Sequence, residues 1–310
     1  MDRIETVALA GLGAVGSVYL ARMSEYIPMD SIRVIASGER AERYRKNGVF
    51  VNGVTRHFPI YEPGASDRPA DLALFAVKYH HLRQAIADAR SQIGPQTVII
   101  SLLNGISSER DLIDAFGAER VLYALVMGLD ATRTGDGTVS STLGVIQFGE
   151  AVNKEGEYSR NVRLVRGFFD SAHVPYEILP DMKWALWKKF MLNVGANQTS
   201  AVLRVPYGEF QRHGAAREIA TSAMEEVVMV ASREGVNLTA DDISDGLARL
   251  DRLSPDGKTS MLQDVEATRR TEVGIFGDTV VELGRRHGTP VPVNGLLSRL
   301  IHALEESYIQ

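Results

Sequence analysis

Residues 6–16 read Thr6-Val7-Ala8-Leu9-Ala10-Gly11-Leu12-Gly13-Ala14-Val15-Gly16, and this stretch decides the fold. Its first five residues form a short apolar run that stops at a glycine cluster, as a buried parallel strand does. Its last six match G-x-G-x-x-G. As a bare string that pattern is weak; following a strand and opening a helical stretch over 17–24, it acquires a mechanism. The first glycine permits a tight turn, the second lets a pyrophosphate approach the backbone, and the third lets helix and strand pack closely. The helix start then offers unpaired N–H groups and a positive dipole end to phosphate. Gly11, Leu12, Gly13, Ala14, Val15 and Gly16 are therefore the candidate cofactor cradle. The competing reading is a glycine-rich turn that binds nothing.

Outward from this turn, apolar runs over 32–36, 71–77 and 97–102 read as further buried strands, and 121–126 and 144–148 as two more. A charged helical stretch over 39–46 follows the second. Strands alternating with helices imply a doubly wound parallel sheet with helices on both faces. After Pro180 the pattern changes. Residues 181–202, 215–234, 240–252, 260–287 and 295–307 show helical periodicity, separated by turns such as Ser254-Pro255-Asp256-Gly257. The expectation is an α/β Rossmann-type domain over 1–180 and an all-α domain over 181–310.

Composition narrows the function classes. The chain has 310 residues, 45% hydrophobic and 24% charged, enough to bury a core without metals or disulfides. A net charge of −5 with no long basic run argues against nucleic acid as partner. The absence of cysteine excludes disulfides, thiol nucleophiles and Cys-based metal sites, and no metal site is expected. No window has the length of a membrane span, and the first apolar run lacks a cleavage signal, so a cytoplasmic location is expected.

The type of dinucleotide is read at the end of the second strand. NAD sites usually carry Asp or Glu about 20 residues beyond the turn. Here the sequence is Ala36-Ser37-Gly38, with Glu39 only afterwards and Arg40 and Arg43 next to it. An acid-free strand end with a hydroxyl and a guanidinium suits a 2′-phosphate, because a carboxylate there would repel it. Ser37 and Arg40 are thus candidate contacts for NADP, with NAD as the alternative and a solvated helix face as the competing reading of the arginines.

A second feature lies on the first helix of the second half. Lys189, Asn193 and Asn197 are four residues apart and share one face, among Phe190, Met191, Leu192 and Val194. Polar groups in register on a buried segment are costly unless hydrogen-bonded. Either the lysine snorkels to solvent while the asparagines bind internal backbone, or the stripe lines a cleft where a substrate supplies partners.

Together with these residues, Ala76-Val77-Lys78, Leu103-Asn104-Gly105, Trp187-Lys188-Lys189, Thr259-Ser260-Met261-Leu262-Gln263-Asp264 and Arg270-Thr271-Glu272 occur in the order of one known family. The sequence resembles the ketopantoate reductases over nearly its whole length. The resemblance implies NADPH-dependent reduction of 2-dehydropantoate or another 2-oxo acid to the 2-hydroxy acid. It implies Lys189 as general acid, Asn193, Asn197 and Ser260 as holders of substrate oxygens, and Asn104 at the cofactor–substrate junction. Lys78 would lie near the cofactor, and Glu272 would join the polar network around the reaction centre. Hydride attack on a ketone builds negative charge on oxygen, so a positioned proton donor is needed. An ordinary lysine, with a pKa of about 10.4, is protonated at neutral pH.

Several residues carry a structural reading as well. Ser260 with Gln263 fits a capping box. On a continuous helix Glu272 would stand about 18 Å from Ser260, which favours a place near the cofactor or Lys78. Lys188 is read as solvated, and His80-His81 as structural or surface. Where the family commonly has proline, asparagine and arginine, this chain has Gln198, Gly257-Lys258 and Ser37; the first two departures lie near the expected substrate pocket. Rival readings are an opine-type reductase of an imine and a non-catalytic dinucleotide sensor. The expected partners are a small-molecule 2-oxo acid and, in the helical half, a second copy in a homodimer.

Overall fold

Four consecutive apolar residues without polar alternation require a strand covered on both faces, and β1 (Val7–Ala10) is buried at every position. The computed structural model describes residues 2–65, 68–134 and 137–309. The chain divides into two compact units, Met1–Met182 and Lys183–Gln310.

In the first unit β1 leads into α1 (Ala14–Met23), β2 (Ile32–Ile35) and α2 (Gly38–Asn47). Three short strands follow, β3 (Val49–Val51), β4 (Val54–Arg56) and β5 (Ile60–Tyr61). Then come β6 (Leu72–Phe75), α3 (Leu82–Ala89), β7 (Val98–Ser101), α4 (Ser108–Phe116) and β8 (Val121–Met127). β9 (Asp130–Thr134), β10 (Gly137–Thr142), β11 (Val145–Gly149), α5 (Arg160–Ser171) and β12 (Tyr176–Glu177) complete the unit.

The main sheet has the order β12-β11-β8-β7-β6-β1-β2-β5. Alternate residues feed two cores, as the period of a strand requires. Leu9, Leu74, Ile100 and Leu122 face one side, and Ala8, Ala73, Ile99 and Val121 the other. Two strands depart from the expected all-parallel pattern: β11 lies antiparallel to β8, and β12 runs parallel to β11. The reason is local. The chain between β8 and β11 carries the β9–β10 hairpin and no crossover helix, and only antiparallel neighbours can be joined without one. That hairpin joins β3 and β4 in a separate four-stranded sheet, β4-β3-β10-β9, on which α1 packs.

The second unit contains α6 (Met182–Leu203), α7 (Tyr207–Gln211), α8 (Ala215–Arg233), α9 (Ala240–Leu250), α10 (Ser260–Glu266), α11 (Gly277–His287) and α12 (Pro292–Glu306); α6 takes its first residue from the end of the first unit. The single helix expected over 260–287 is two. α10 ends in a Schellman turn: Thr268 adopts a left-handed φ of 51°, its N–H reaches Val265 O at 3.1 Å, and Arg269 N reaches Asp264 O at 2.8 Å. The Arg269 side chain closes the turn on the Asp264 carboxylate at 3.0 Å. α12 starts earlier than expected because Pro292 takes the first helical position, where its missing N–H costs nothing. None of the described helices is long and apolar enough to cross a membrane.

A buried polar chain ties three of these helices. Glu226 on α8 accepts the N–H groups of Val293 and Asn294 at 2.7 and 2.9 Å, capping α12 from outside. It also accepts Asn294 Nδ2 at 2.8 Å. Asn294 Oδ1 in turn accepts Gln198 Nε2 of α6 at 2.9 Å.

Candidate active site

The glycine turn joins β1 to α1 at the point where the chain reverses its direction of travel across the sheet, since β1 has β2 on one side and β6 on the other. Open parallel sheets bind their ligands at such a switch. Two of the three glycines are demanded by the protein itself. Gly11 has φ +107°, and a Cβ there would stand 2.6 Å from Ala76 O; a Cβ on Gly16 would stand 2.0 Å from Gly11 O. Gly13 is different. Its φ is −75°, and the nearest protein atom to a Cβ would be Ala76 O at 3.7 Å. Protein packing leaves that position open, as a backbone approached by a phosphate requires. Gly13 also caps α1 without a side chain, so the first amides of the helix have no intrahelical acceptor. The cradle fits a dinucleotide.

Four adjacent parallel strands, β2, β1, β6 and β7, deliver four of the expected segments to the same sheet edge. Ser37 follows β2 as the N-cap of α2, with no side-chain capping bond, and Arg40 is exposed in the first turn. Lys78 follows β6 and precedes a short 3-10 turn; Asn104 follows β7 beside Gly105, whose φ is +91°. Both side chains are half-buried. The loop bearing Asn104 is anchored by buried hydroxyls: Ser101 and Ser108 Oγ lie 2.7 Å apart, and Ser101 Oγ accepts Leu103 N at 3.3 Å. Tyr79, next to Lys78, is pushed up to about 12 by burial and then by the Asp111 carboxylate, which keeps its phenol neutral. His80 and His81 are exposed, their rings in contact at a tilt of 59° with centroids 4.2 Å apart.

In the helical unit, Lys189, Asn193 and Asn197 lie on α6 in the expected register. Lys189 and Asn193 are half-buried and Asn197 is buried. The opposite face of the helix is locked: a Cβ on Gly195 would stand 2.6 Å from Ala220 O of α8. Trp187, Phe190 and Phe276 form a continuous aromatic series with centroids 5.7 and 6.3 Å apart. The stripe is thus carried on a helix with little freedom to rotate.

Three readings from the sequence change here. Lys188 is only partly solvated; its Nζ pairs with Asp245 at 2.7 Å and Asp242 at 3.0 Å, and lies over the Trp184 ring at 4.7 Å. Burial pushes its pKa down, but the two carboxylates outweigh burial and leave it above the ordinary lysine value. Burial pushes Asp242 up, and the bonds from Lys188 and Thr239 hold it below 3.8. Gln198 serves the interior, bonding Val194 O and Asn294. Ser260 does not cap its helix. Thr259 does, accepting Leu262 N at 3.1 Å, which leaves Ser260 exposed at the first helical position. Gly257 and Lys258 are likewise in structural use, the first accepting Tyr207 N at 2.9 Å and the second pairing with Glu266 at 2.7 Å.

Glu272 stands in the loop between α10 and α11, half-buried, just before the 3-10 turn Val273–Ile275. With α10 ending at Glu266, Glu272 is not carried on the same helix as Ser260, so the spacing of a continuous helix does not apply to the pair. The preceding residue is pinned: Thr271 N donates to Glu305 Oε1 of α12 at 2.6 Å. Sequence reading missed Glu305, and it missed Arg133 of β9, whose guanidinium donates to the Leu12 carbonyl inside the glycine turn. These partners are separated by 34 and 121 residues, and no local pattern signals them.

Comparison with known proteins agrees with this architecture. The family model for ketopantoate reductase PanE/ApbA matches residues 7–153, and that for the ketopantoate reductase PanE/ApbA C terminal matches 181–305. The 2-dehydropantoate 2-reductase of Shigella flexneri is 27% identical over 248 residues, covering 77% of this chain and 76% of its own. Among solved structures, the ketopantoate reductase from Ralstonia eutropha superposes with TM-score 0.83 at 24% identity, over 98% of this chain and 100% of that one. A D-mandelate dehydrogenase with NADH and anilino(oxo)acetate superposes with TM-score 0.86 at 20% identity, over 98% and 99%. With both halves matched in order by its models, the chain belongs to the ketopantoate reductase PanE/ApbA family of oxidoreductases.

Proposed function

We propose that this protein reduces a 2-oxo acid to its 2-hydroxy acid with NADPH, and that 2-dehydropantoate, giving pantoate, is the substrate. The observation that carries the reading is the register of Lys189, Asn193 and Asn197 on one immobilised helix. In this reading the first unit holds the cofactor and the helical unit handles the substrate.

The amides at the start of α1 and the open backbone of Gly13 receive the pyrophosphate. Ser37 and Arg40 receive a 2′-phosphate, and Lys78 and Asn104 stand along the same sheet edge as cofactor contacts. NADPH supplies the hydride for the carbonyl carbon. The task left to the chain is the oxygen. Lys189 Nζ donates a hydrogen bond to the carbonyl oxygen, offsets its growing negative charge, and gives it a proton. Asn193, Asn197 and Ser260 hold the remaining substrate oxygens, and Glu272 completes the polar surroundings of the reacting groups. The NADP preference rests on the acid-free end of β2; the D-mandelate dehydrogenase of the same fold holds NADH, so the choice belongs to local side chains and not to the fold.

The test is NADPH oxidation, followed optically, with 2-dehydropantoate and a panel of 2-oxo acids that includes a phenyl-substituted one. NADH serves as control, and Lys189→Ala is run beside wild type. Turnover of 2-dehydropantoate that prefers NADPH and falls by about 10²-fold or more in the variant is expected. Turnover of another acid would replace the substrate and keep the mechanism. Tight NADPH binding without turnover of any acid would sink the enzymatic reading in favour of a sensor.

A further inference from the structure

The glycine turn has a neighbour that neither its motif nor the family blocks quoted above include. Arg133 belongs to β9 of the small sheet, and its guanidinium donates to the carbonyl of Leu12, one residue before Gly13. The side chain is exposed, and among the described residues no carboxylate pairs with it. A guanidinium has five N–H donors in a planar fork. Anchoring one of its nitrogens on Leu12 holds the fork beside the turn and leaves its other donors for a ligand. The same turn presents the open face of Gly13 and the unbonded amides of α1.

We propose that Arg133 is a pyrophosphate clamp: a charged residue brought by the small sheet to the dinucleotide, opposite the positive end of α1. The inference rests on the reading of this turn as the cofactor cradle and adds a residue to it. The ligand chemistry is that of a dinucleotide diphosphate, which a guanidinium binds through two parallel charge-assisted bonds. Ser37 and Arg40, the candidate 2′-phosphate contacts, follow β2 and not β1. Arg133 therefore acts on the part shared by NADPH and NADH.

Fluorescence titration of NADPH and of NADH into wild type, Arg133→Gln, Arg133→Lys and Arg40→Ala tests this. Arg133→Gln is expected to raise Kd by about 10- to 100-fold for both nucleotides, the loss of a charge-assisted hydrogen bond. Arg133→Lys, which keeps a point charge without the fork, should lie between. Arg40→Ala should weaken NADPH alone. An unchanged urea midpoint in the exposed-site variants excludes unfolding as the cause. Unchanged Kd for both nucleotides in Arg133→Gln, with wild type binding normally, overturns the clamp and leaves the cofactor reading intact. A loss confined to NADPH overturns it too, since Arg133 would then read the 2′-phosphate. Wild type binding neither nucleotide overturns the cofactor reading and the clamp with it.

Discussion

Glu305, in the last turn of α12, accepts the backbone N–H of Thr271 at 2.6 Å, and so fixes the residue next to Glu272 from a helix 34 positions further on. Both partners are buried, so the bond is a charge-assisted one made away from water. Glu305→Ala is expected to cost about 2 kcal/mol in urea unfolding, because it leaves a buried N–H without an acceptor. Glu305→Gln, which keeps an acceptor oxygen, should recover about half of that. Under the proposed role of Glu272, kcat should follow the same order while KM for NADPH changes less. An Ala variant with wild-type midpoint and kcat would show that the loop holds itself.

The three glycines of the turn should separate packing from ligand binding. Gly16→Ala drives a Cβ onto Gly11 O, and a loss of about 1–3 kcal/mol in stability is expected. Gly13→Ala meets no protein atom closer than 3.7 Å and should fold within about 1 kcal/mol of wild type. Its NADPH affinity should nonetheless drop by about tenfold or more, since the Cβ occupies the approach that a phosphate needs. Paired thermal melts and nucleotide titrations check both. Equal nucleotide affinity in Gly13→Ala and wild type would contradict the cradle.

Lys188 and Asp242 give a pH signature. Asp242 is held below 3.8 in the folded chain, so its stabilisation is present above that value and lost as pH falls through the lower folded one. Lys188 is held above 10.5, so its share is present below that value and lost only as pH rises through the higher folded one. Lys188→Met should therefore lie below wild type by about 1 kcal/mol at neutral pH. Unfolding curves should show that gap constant from about pH 5 to 9 and closing below about pH 4. A gap that persists unchanged in acid would mean that the substitution removes packing on Trp184 within α6, and not the charge pairing with α9.

Glu226 carries the start of α12. Glu226→Ala removes the acceptor of two backbone N–H groups and one of the two acceptors of the Asn294 amide, and a loss of about 3 kcal/mol is expected. Asn294→Leu should be similarly damaging, because it leaves the Glu226 charge buried with fewer donors. Hydrogen exchange would locate the effect: the amides of Val293 and Asn294 should lose protection first, and uniform loss across the unit would count against a local cap.

Much of this was legible along the chain, for identifiable reasons. The strands at Val7, Leu72 and Val98 are continuous apolar runs, and a parallel sheet covered on both faces admits nothing else. The stripe of Lys189, Asn193 and Asn197 follows from helical period alone. What stayed hidden depends on contacts between distant segments. The break after Glu266 turns on Thr268 taking a left-handed conformation in place of the usual glycine, which local propensity disfavours. Lys188 looked solvated because its partners Asp242 and Asp245 sit on another helix. The small sheet was missed because β3 and β4 have three residues each, and only β3 bridges to β10, far along the chain.

The place of Gln198 in the helical core has an evolutionary consequence. A Cβ on Gly277 would stand 2.2 Å from Gln198 Oε1 and 3.0 Å from Ser298 Cβ, and the glutamine is fully buried and held by Asn294. Mutational drift at 277 is therefore disfavoured while 198 remains glutamine, and shortening 198 is the permissive step that relieves the tighter of the two contacts. Descendants of this sequence should exchange the two positions in that order, so that a historical contingency at one helix governs which substitutions its neighbour can later accept.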